Sequence, residues 1–319
     1  MTTILANDGL NAAGIQALED AGFSVDVNKV AQEQLANYIN ENKISGLLVR
    51  SATKVRKDLI DACPDLKLIG RGGVGMDNID VEYARSKGIH VINTPAASSD
   101  SVAELVMAHL YGMVRFLHDS NRNMPLDGDS RFNDLKKKYA KGQELKGKTL
   151  GLIGSGRIAM AVAERAVGVG MRVICSSPSG KDQVIHLNIF DGQKINVTIK
   201  NVDMKTLLKE SDFVSLHVPK MPKAILDTDA ISIMKDGSAI INTSRGGIVD
   251  EQALMNALDS GKIRYAALDV FENEPVPAVK LLMREELSLS PHIGASTEEA
   301  QERIGLELAE QIASLLGKQ

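Results

Sequence analysis

The sequence predicts an α/β fold built from two doubly wound parallel sheets, and three observations lead to this prediction. Short apolar runs alternate with helical patterns along most of the chain, which is typical of βαβ units in a parallel sheet. A glycine-rich turn joins a strand pattern to a helix pattern near the middle of the chain. Further on, three loops that each follow an apolar run carry one Arg, one Glu and one His.

Composition narrows the class of protein. The chain has 319 residues, 44% hydrophobic and 24% charged, which allows about two domains and a substantial core. A net charge of -4 and the lack of Trp argue against nucleic-acid binding, and two cysteines are too few for a disulfide framework or a Cys-based metal site. No signal-peptide pattern is present, and no apolar run reaches the roughly 20 residues of a membrane span. We therefore expect a cytoplasmic enzyme with no metal, membrane or nucleic-acid partner.

The first series of strands and helices ends at Asn93-Thr94-Pro95, where the alternation stops. Apolar runs predict strands at Thr3–Ala6, Phe23–Val27, Gly46–Val49, Leu66–Ile69 and His90–Ile92. Helical spacing between them predicts helices at Asn11–Ala21, Glu33–Glu41, Lys57–Ala62 and Val81–Lys87.

The middle of the chain begins with a long apolar helix pattern, Ser98–His118. The apolar surface of such a helix must be buried, either against the same helix of a second subunit in a homodimer or in the core of its own chain. The stretch Asp119–Lys148, which contains the run Lys136–Lys138, is polar and predicts solvated helix and loop. A second βαβ series follows, and the last pattern is an amphipathic helix over Thr297–Leu316 with Thr297 as its N-cap.

The glycine-rich turn is a candidate dinucleotide site. Gly154, Gly156 and Ala159 form a G-x-G-x-x-A pattern. Gly154 permits the tight turn, Gly156 lets backbone amides approach a pyrophosphate, and Ala159 allows close helix–strand packing. A helix over Ile158–Val169 and a strand over Met171–Cys175 complete the βαβ unit. We expect NAD to bind here, and a tight turn without a ligand is the alternative.

The residue expected to read the cofactor ribose is not acidic. About 20 residues beyond the first glycine, an NAD site usually offers Asp or Glu to the ribose hydroxyls. Ser177 stands there in this chain, with Ser176, Ser179 and Lys181 nearby in sequence. A neutral Ser weakens discrimination against a 2′-phosphate, but no Arg is close to it. We therefore favour NAD and keep NADP as the alternative.

The three later loops carry residues with compatible chemistry: Arg245, Glu274 and His292. Because ligands bind beyond the carboxyl ends of strands in an open parallel sheet, we expect these side chains to converge. An Arg forks onto a carboxylate, and a His beside a Glu exchanges a proton near neutral pH. This set suits hydride transfer at a 2-hydroxy acid, which needs a hydride acceptor and a base for the hydroxyl proton. The alternatives are a helix-capping or surface Arg245 and a solvated Glu274.

The chain resembles the D-2-hydroxyacid dehydrogenase family over nearly its whole length, and most of all the members that oxidise 3-phosphoglycerate in serine biosynthesis. Besides the three loops, the resemblance rests on Val49–Val55, Gly70–Asn78 and Ser101–Leu105. It implies a Rossmann NAD-binding domain over 97–293, inserted into a flavodoxin-like substrate domain over 1–96 and 294–319. It also implies a short form without a C-terminal regulatory domain.

The resemblance implies roles for individual residues. Arg245 would hold the substrate carboxylate and C2 oxygen, His292 would be the acid and base at C2, and Glu274 would tune and orient His292. The implied cofactor-binding residues are Gly154, Gly156, Arg157, Ile158, Ser177, Val218, Thr243, Ser244, Asp269, Gly294 and Ala295. Two other histidines have less specific expectations: His217 is structural or adjacent to the cofactor, and His109 is a core or interface residue.

Residues of the first domain predict which acid is bound. Arg50 and Arg71 each end a predicted strand, and an Arg pairs strongly with a phosphate. The amides of Val74 and Gly75 suit a carboxylate as a small anion nest, and Ser51 completes the expected substrate set. This favours a phosphorylated 2-hydroxy acid, with a structural ion pair as the alternative for Arg71.

Some features depart from the family pattern. Ala96-Ala97 follows Asn-Thr-Pro, and the stretch Lys181–Lys200 is longer than usual, with an apparent extra strand over Lys194–Ile199. Two alternatives to a phosphoglycerate-oxidising enzyme therefore stay open. One is a glyoxylate or hydroxypyruvate reductase that uses NADPH, suggested by Ser177, and the other is a non-enzymatic cofactor-sensing protein.

Overall fold

The computed structural model describes residues 2–317 of the chain. The chain divides into two compact units. One takes the described residues of Met1–Ser101 and Ala295–Gln319, and the other takes Val102–Gly294. The domains expected from the sequence have their boundaries at 96/97 and 293/294.

Strands and helices alternate along most of the described chain. The strands are β1 (Thr3–Ala6), β2 (Ser24–Asp26), β3 (Ile44–Val49), β4 (Leu68–Arg71), β5 (His90–Asn93), β6 (Thr149–Ile153), β7 (Arg172–Ser176), β8 (Gln183–Asn188), β9 (Lys194–Asn201), β10 (Phe213–Leu216), β11 (Ser238–Asn242), β12 (Ile263–Leu268) and β13 (Leu287–Leu289). The helices are α1 (Ala12–Asp20), α2 (Leu35–Glu41), α3 (Lys57–Ala62), α4 (Val81–Ser86), α5 (Ser99–Val114), α6 (Leu117–Asp127), α7 (Phe132–Lys138), α8 (Arg157–Gly168), α9 (Met204–Glu210), α10 (Thr228–Ile233), α11 (Glu251–Asp259), α12 (Val279–Leu282) and α13 (Glu298–Leu316).

The first unit is built on a parallel five-stranded sheet with the order β2-β1-β3-β4-β5. This is the flavodoxin-like order that the family resemblance implies. Helix α13 returns from the end of the chain to pack on α1, where a side chain on Gly14 would meet the backbone of Gly305. The strand predicted at Leu66–Ile69 begins two residues later, because Leu66 closes a turn onto Cys63. Arg71 is the last residue of β4, and Arg50 directly follows Val49, the last residue of β3.

The second unit has an eight-stranded sheet with the order β13-β12-β11-β10-β6-β7-β9-β8. Its strands from β9 to β12 take the 3-2-1-4-5-6 order of a dinucleotide-binding fold, with the switch point between β6 and β10. All pairings are parallel except β8 with β9. The extra strand predicted at Lys194–Ile199 is therefore confirmed as β9, and β8 is its hairpin partner.

The helix predicted over Ser98–His118 is wrong in its length. It ends at Val114, and Phe116 takes a left-handed conformation with φ 57° before α6 begins. The Phe116 ring packs 5.8 Å from both Tyr139 and Tyr265, and this aromatic contact accompanies the break. Within residues 2–317, no helix combines the length and apolar character that a membrane crossing requires.

Most apolar side chains of α5 are covered within their own unit, although Tyr111 is 42% exposed. Val106, Leu110 and Met113 are fully buried in the core that lies against the β6 strand. This burial supports the alternative of a core helix within one chain, so the homodimer stays a prediction. The polar stretch after it is less solvated than expected, because Asp119 is buried and accepts from Tyr139 Oη at 2.7 Å and Lys138 Nζ at 2.8 Å.

Candidate active site

The loops that carry Arg245, Glu274 and His292 begin at one edge of the second sheet. Strands β11, β12 and β13 are parallel neighbours, and their final residues lie in register, Asn242 beside Leu268 and Leu268 beside Leu289. The three loops therefore leave the sheet side by side at its carboxyl edge, where an open parallel sheet binds its ligands.

His292 and Glu274 are brought together. The imidazole Nδ1 lies 2.8 Å from Glu274 Oε2, and the two side chains are 38% and 36% exposed. Glu274 is held in turn because its Oε1 accepts the backbone N–H of Phe271 at 3.0 Å. Since Nδ1 faces the carboxylate, the other ring nitrogen, Nε2, remains for a reacting group. This is the geometry of a proton-exchanging pair.

The turn that carries Arg245 depends on Asn242, which the sequence reasoning missed. Asn242 Oδ1 accepts from Ser244 N at 3.1 Å and Ser244 Oγ at 2.8 Å, and its Nδ2 donates to the Arg245 carbonyl at 2.9 Å. The next residue, Gly246, fits tightly, because a Cβ there would overlap the Phe271 carbonyl. The Arg245 turn is thus packed against the loop that carries Glu274. The sequence signal for this turn is an Asn at the end of an apolar run, three residues before an Arg, and it was overlooked.

Asp269 is buried beneath the His292 loop. Its Oδ1 accepts from Ser290 Oγ at 2.6 Å and Ile293 N at 2.9 Å, while Oδ2 accepts from Gly294 N at 2.9 Å. This 1% exposed carboxylate thus holds the backbone just after His292 and the Ser290 side chain just before it. The contact expected between Asp269 and the cofactor stays a prediction, as does the role expected for Gly294. Ala295, the residue after Gly294, belongs to the first unit.

The cofactor turn has the shape that a dinucleotide needs. Gly154 has φ 106°, and a Cβ there would overlap the His217 carbonyl, so the tight turn requires glycine. Gly156 is the N-cap of α8, and among the described residues no atom outside its chain neighbours lies within 4 Å of where its Cβ would be. The first N–H groups of α8, at Arg157 and Ile158, follow directly after this open position, at the kind of helix start where a pyrophosphate binds.

Further observations around this turn fit NAD. Thr243 Oγ1 is buried and has no hydrogen-bond partner within the described part of the chain. Val218 lies beside Gly154, and Ser244 is buried in the turn that follows β11. The residues present thus offer glycines for backbone approach, a helix N-terminus for phosphates and a spare hydroxyl. Residues 2–317 contain no group of three or more His, Cys, Asp or Glu that could hold a metal ion.

Ser177 is placed by Asn201, a residue at the end of β9 that the sequence reasoning missed. Asn201 Oδ1 accepts the Ser177 N–H at 2.9 Å, and the Ser177 hydroxyl lies 3.0 Å from the Ser179 hydroxyl. The position expected to read the ribose therefore presents neutral hydroxyls instead of a carboxylate.

The backbone carbonyl of His217 lies next to Gly154 in the cofactor turn. The Nε2 atom of His217 is 2.9 Å from the Ser215 hydroxyl. Burial lowers the pKa of His217 to about 4, so the ring is neutral at physiological pH. A neutral ring held by Ser215 supports the structural role expected for this histidine.

The residues expected to bind substrate in the first unit lie at the carboxyl ends of β3 and β4. Arg71 is in register with Val49, so Arg50 follows directly at the same edge. Asp8 Oδ2 accepts the Arg50 N–H at 2.6 Å, and Asn78 Nδ2 donates to the Arg50 carbonyl at 2.8 Å. Asp8 and Asn78 thus hold the loop that continues into Ser51, and neither was singled out from the sequence.

The other expected substrate loop contains Val74 and Gly75. Asn93 Nδ2 donates to the Val74 carbonyl at 2.7 Å, and Gly73 has φ 140°. The loop is therefore tied to the end of β5 through Asn93, while Val74 is 37% exposed.

Comparison with known proteins adds to this geometry. Residues 107–294 match the family described as D-isomer specific 2-hydroxyacid dehydrogenase, NAD binding domain. The chain is similar to a hydroxypyruvate reductase of Thermotoga maritima, with 43% identity over 98% of this chain and 97% of that protein. It is 42% identical to a D-3-phosphoglycerate dehydrogenase of Methanocaldococcus jannaschii over 99% of this chain, but spans only 58% of that protein. Among solved structures, a glyoxylate reductase from Paecilomyes thermophila matches 98% of this chain and 94% of its own with a TM-score of 0.81 and 29% identity.

Proposed function

Because this chain belongs to the D-isomer-specific 2-hydroxyacid dehydrogenase family, we propose that it oxidises D-3-phosphoglycerate at C2 to 3-phosphohydroxypyruvate, the first step of serine biosynthesis. It is an oxidoreductase that acts on CH–OH groups, and its cofactor is NAD. The observation that carries the choice of substrate is the pair of arginines, Arg50 and Arg71, at one edge of the first sheet.

The reaction needs a proton acceptor at the C2 hydroxyl. His292 in its neutral form takes that proton on Nε2, because Nδ1 faces Glu274 at 2.8 Å. The Glu274 carboxylate stabilises the imidazolium that results. When bound, NAD supplies the hydride acceptor. In the reverse direction the imidazolium returns its proton to the C2 oxygen, and Arg245 holds the substrate carboxylate and polarises the carbonyl.

The arginine pair favours a phosphorylated acid over a plain one. The Arg50 guanidinium makes no hydrogen bond or ion pair within residues 2–317, although its backbone is held firmly by Asp8 and Asn78. An arginine with a fixed backbone and a head group that no carboxylate neutralises suits a doubly charged phosphate. Arg71 adds a second positive charge at the same sheet edge.

A matched pair of substrates tests the proposal, since hydroxypyruvate differs from 3-phosphohydroxypyruvate only by the phosphate. With NADH, we expect kcat/KM for the phosphorylated acid to exceed that for hydroxypyruvate by about 100-fold or more. Arg50→Met and Arg71→Met should each remove much of this preference and leave hydroxypyruvate turnover nearly unchanged. Preference of the wild-type enzyme for hydroxypyruvate would overturn the choice of substrate.

The second candidate is a hydroxypyruvate or glyoxylate reductase. It is favoured by the similarity to the hydroxypyruvate reductase of Thermotoga maritima, which covers nearly the whole of both chains. The same panel, run with NADH and with NADPH and extended to glyoxylate, distinguishes it. The neutral position of Ser177 makes use of NADPH part of that candidate. Binding of NADH without turnover of any 2-oxo acid would instead indicate a cofactor-sensing protein.

A further inference from the structure

A line of buried hydrogen bonds runs from helix α5 to the loop of the proposed catalytic histidine. His109 Nδ1 lies 2.8 Å from Ser288 Oγ, and His109 Nε2 lies 3.0 Å from Ser290 Oγ. Ser290 Oγ in turn donates to Asp269 Oδ1 at 2.6 Å. All of these side chains are at least nine-tenths buried, with exposures of 6% for His109 and Ser288, 9% for Ser290 and 1% for Asp269.

The hydrogen-bonding capacity of each group determines which atom donates and which accepts in these hydrogen bonds. A carboxylate only accepts hydrogen bonds, so the single hydroxyl proton of Ser290 goes to Asp269. The Ser290 oxygen can then only accept from His109, which places a proton on Nε2. In a neutral ring Nδ1 must therefore accept from Ser288. Burial lowers the pKa of His109, which agrees with a neutral ring in this single tautomer.

Asp269 connects these hydrogen bonds to the backbone next to His292. Its two oxygens accept the N–H groups of Ile293 and Gly294, both at 2.9 Å. His292 itself has φ 55°, a left-handed conformation that is uncommon and costs energy in a non-glycine residue, so contacts around it must offset that cost. Asp269 therefore holds the backbone on the C-terminal side of that conformation, and Ser290 anchors its N-terminal side.

We infer that His109 is a positioning residue for the dehydrogenase reaction: through Ser290 and Asp269 it fixes the backbone conformation that presents His292. The inference rests on the proposed role of His292. His109 touches no reacting atom. It donates to Ser290, which leaves the Ser290 proton directed at Asp269 and the Asp269 oxygens aligned with the Ile293 and Gly294 amides.

The test uses kcat of the full chain with NADH and its best 2-oxo acid. His109→Met fills the same space in the core with an apolar side chain but removes the N–H that donates to Ser290. We expect kcat to fall about tenfold or more, with little change in the KM for NADH. His109→Gln should recover most of that loss, because its amide nitrogen reaches the position of Nε2. In a Ser290→Ala background, His109→Met should cause no further loss, because the two residues act in one line.

A second readout needs no turnover and so separates this inference from the choice of substrate. In ¹H–¹⁵N spectra of the protein, His109→Met should shift the imidazole signals of His292 and leave those of the exposed His186 in place. Ser211→Ala, which removes another fully buried hydroxyl of the same unit, is the matched control and should change neither kcat nor the His292 signals.

Three results would overturn the inference: unchanged kcat and His292 signals in His109→Met, equal activity of the Gln and Met variants, or additive losses with Ser290→Ala. If His109→Met does not fold, the turnover of His109→Gln is compared with that of His109→Asn. The Asn amide reaches the position of Nδ1 instead of Nε2, so only Gln should support turnover, and equal turnover of the two would count against the line.

Discussion

Glu251 and Glu272 exchange backbone hydrogen bonds through their carboxylates. The Glu272 N–H donates to Glu251 Oε1 at 2.8 Å, and the Glu251 N–H donates to Glu272 Oε1 at 3.0 Å. This exchange joins the start of α11 to the loop that carries Glu274, and so it helps to hold that loop in place. It also places two acidic side chains close together, one of them 9% exposed.

Glu251→Gln should raise the free energy of unfolding at neutral pH. Burial raises the pKa of Glu251 above its usual value, and the nearby Glu272 charge adds to this, against the opposing effect of the Glu272 N–H hydrogen bond. A raised pKa means that this site favours folding at low pH and that the benefit is lost as the pH rises through the folded-state pKa. The amide keeps an acceptor for the Glu272 N–H without the charge, so the gain over wild type should vanish in acid. Urea unfolding at pH 7 and pH 4 measures this, and an equal effect at both pH values would contradict it.

His292→Gln should abolish most turnover without loss of cofactor binding. The variant removes the group that exchanges a proton with the C2 hydroxyl, and general acid–base catalysis contributes about 10²- to 10⁴-fold. The dissociation constant for NADH, measured by fluorescence titration, should stay close to that of wild type, because the glycine turn lies elsewhere on the sheet edge. Near-normal kcat would refute the acid–base role.

Alanine substitutions at Gly154 and Gly156 should affect different properties, protein stability at the first position and cofactor affinity at the second. Gly156→Ala meets no other part of the described chain, so the protein should fold normally, but the new methyl group occupies the space expected for the pyrophosphate. We expect NADH affinity to fall about tenfold or more with an unchanged melting temperature.

Gly154→Ala should instead lower stability, by about 1–3 kcal/mol, since its φ of 106° and the His217 carbonyl both exclude a side chain. Thermal unfolding without cofactor is the measurement that separates the two glycines. A loss of stability in Gly156→Ala equal to that in Gly154→Ala would contradict the assignment.

His217 should make the protein less stable as the pH falls. Its pKa is lowered by burial to about 4, below the usual 6.5, so the unfolded chain takes up the proton first. The stabilising effect of the neutral ring is complete above about pH 6.5 and is lost towards pH 4, a change of about 3 kcal/mol. His217→Gln should flatten this part of the pH dependence, whereas His186→Gln, at an exposed site, should leave it unchanged. Denaturant unfolding between pH 4 and pH 7 tests both variants.

Local patterns in the sequence predict much of the fold, because they depend on residues a few positions apart. Apolar runs and helical spacing place β1 and α3 at their observed bounds, and Thr297 is the N-cap of α13 as predicted. The glycine spacing predicts the turn between β6 and α8 for the same reason: the conformation of Gly154 is a property of that short segment. Where a local rule competes with packing, prediction fails, as at Phe116, whose aromatic contacts accompany an interruption of a continuous helical pattern.

The sequence by itself determined the class of fold, the cofactor turn and the identity of the residues Arg245, Glu274 and His292. Only the tertiary structure decided what holds them. Asn242 beneath Arg245, Asp269 beneath the His292 loop and the line back to His109 are contacts that no local pattern encodes. His109 and Ser290 are 181 positions apart in the chain. Their hydrogen bond exists because the folded core excludes water and leaves each buried polar atom only its neighbours as partners, a condition that arises only once the strands and helices have packed.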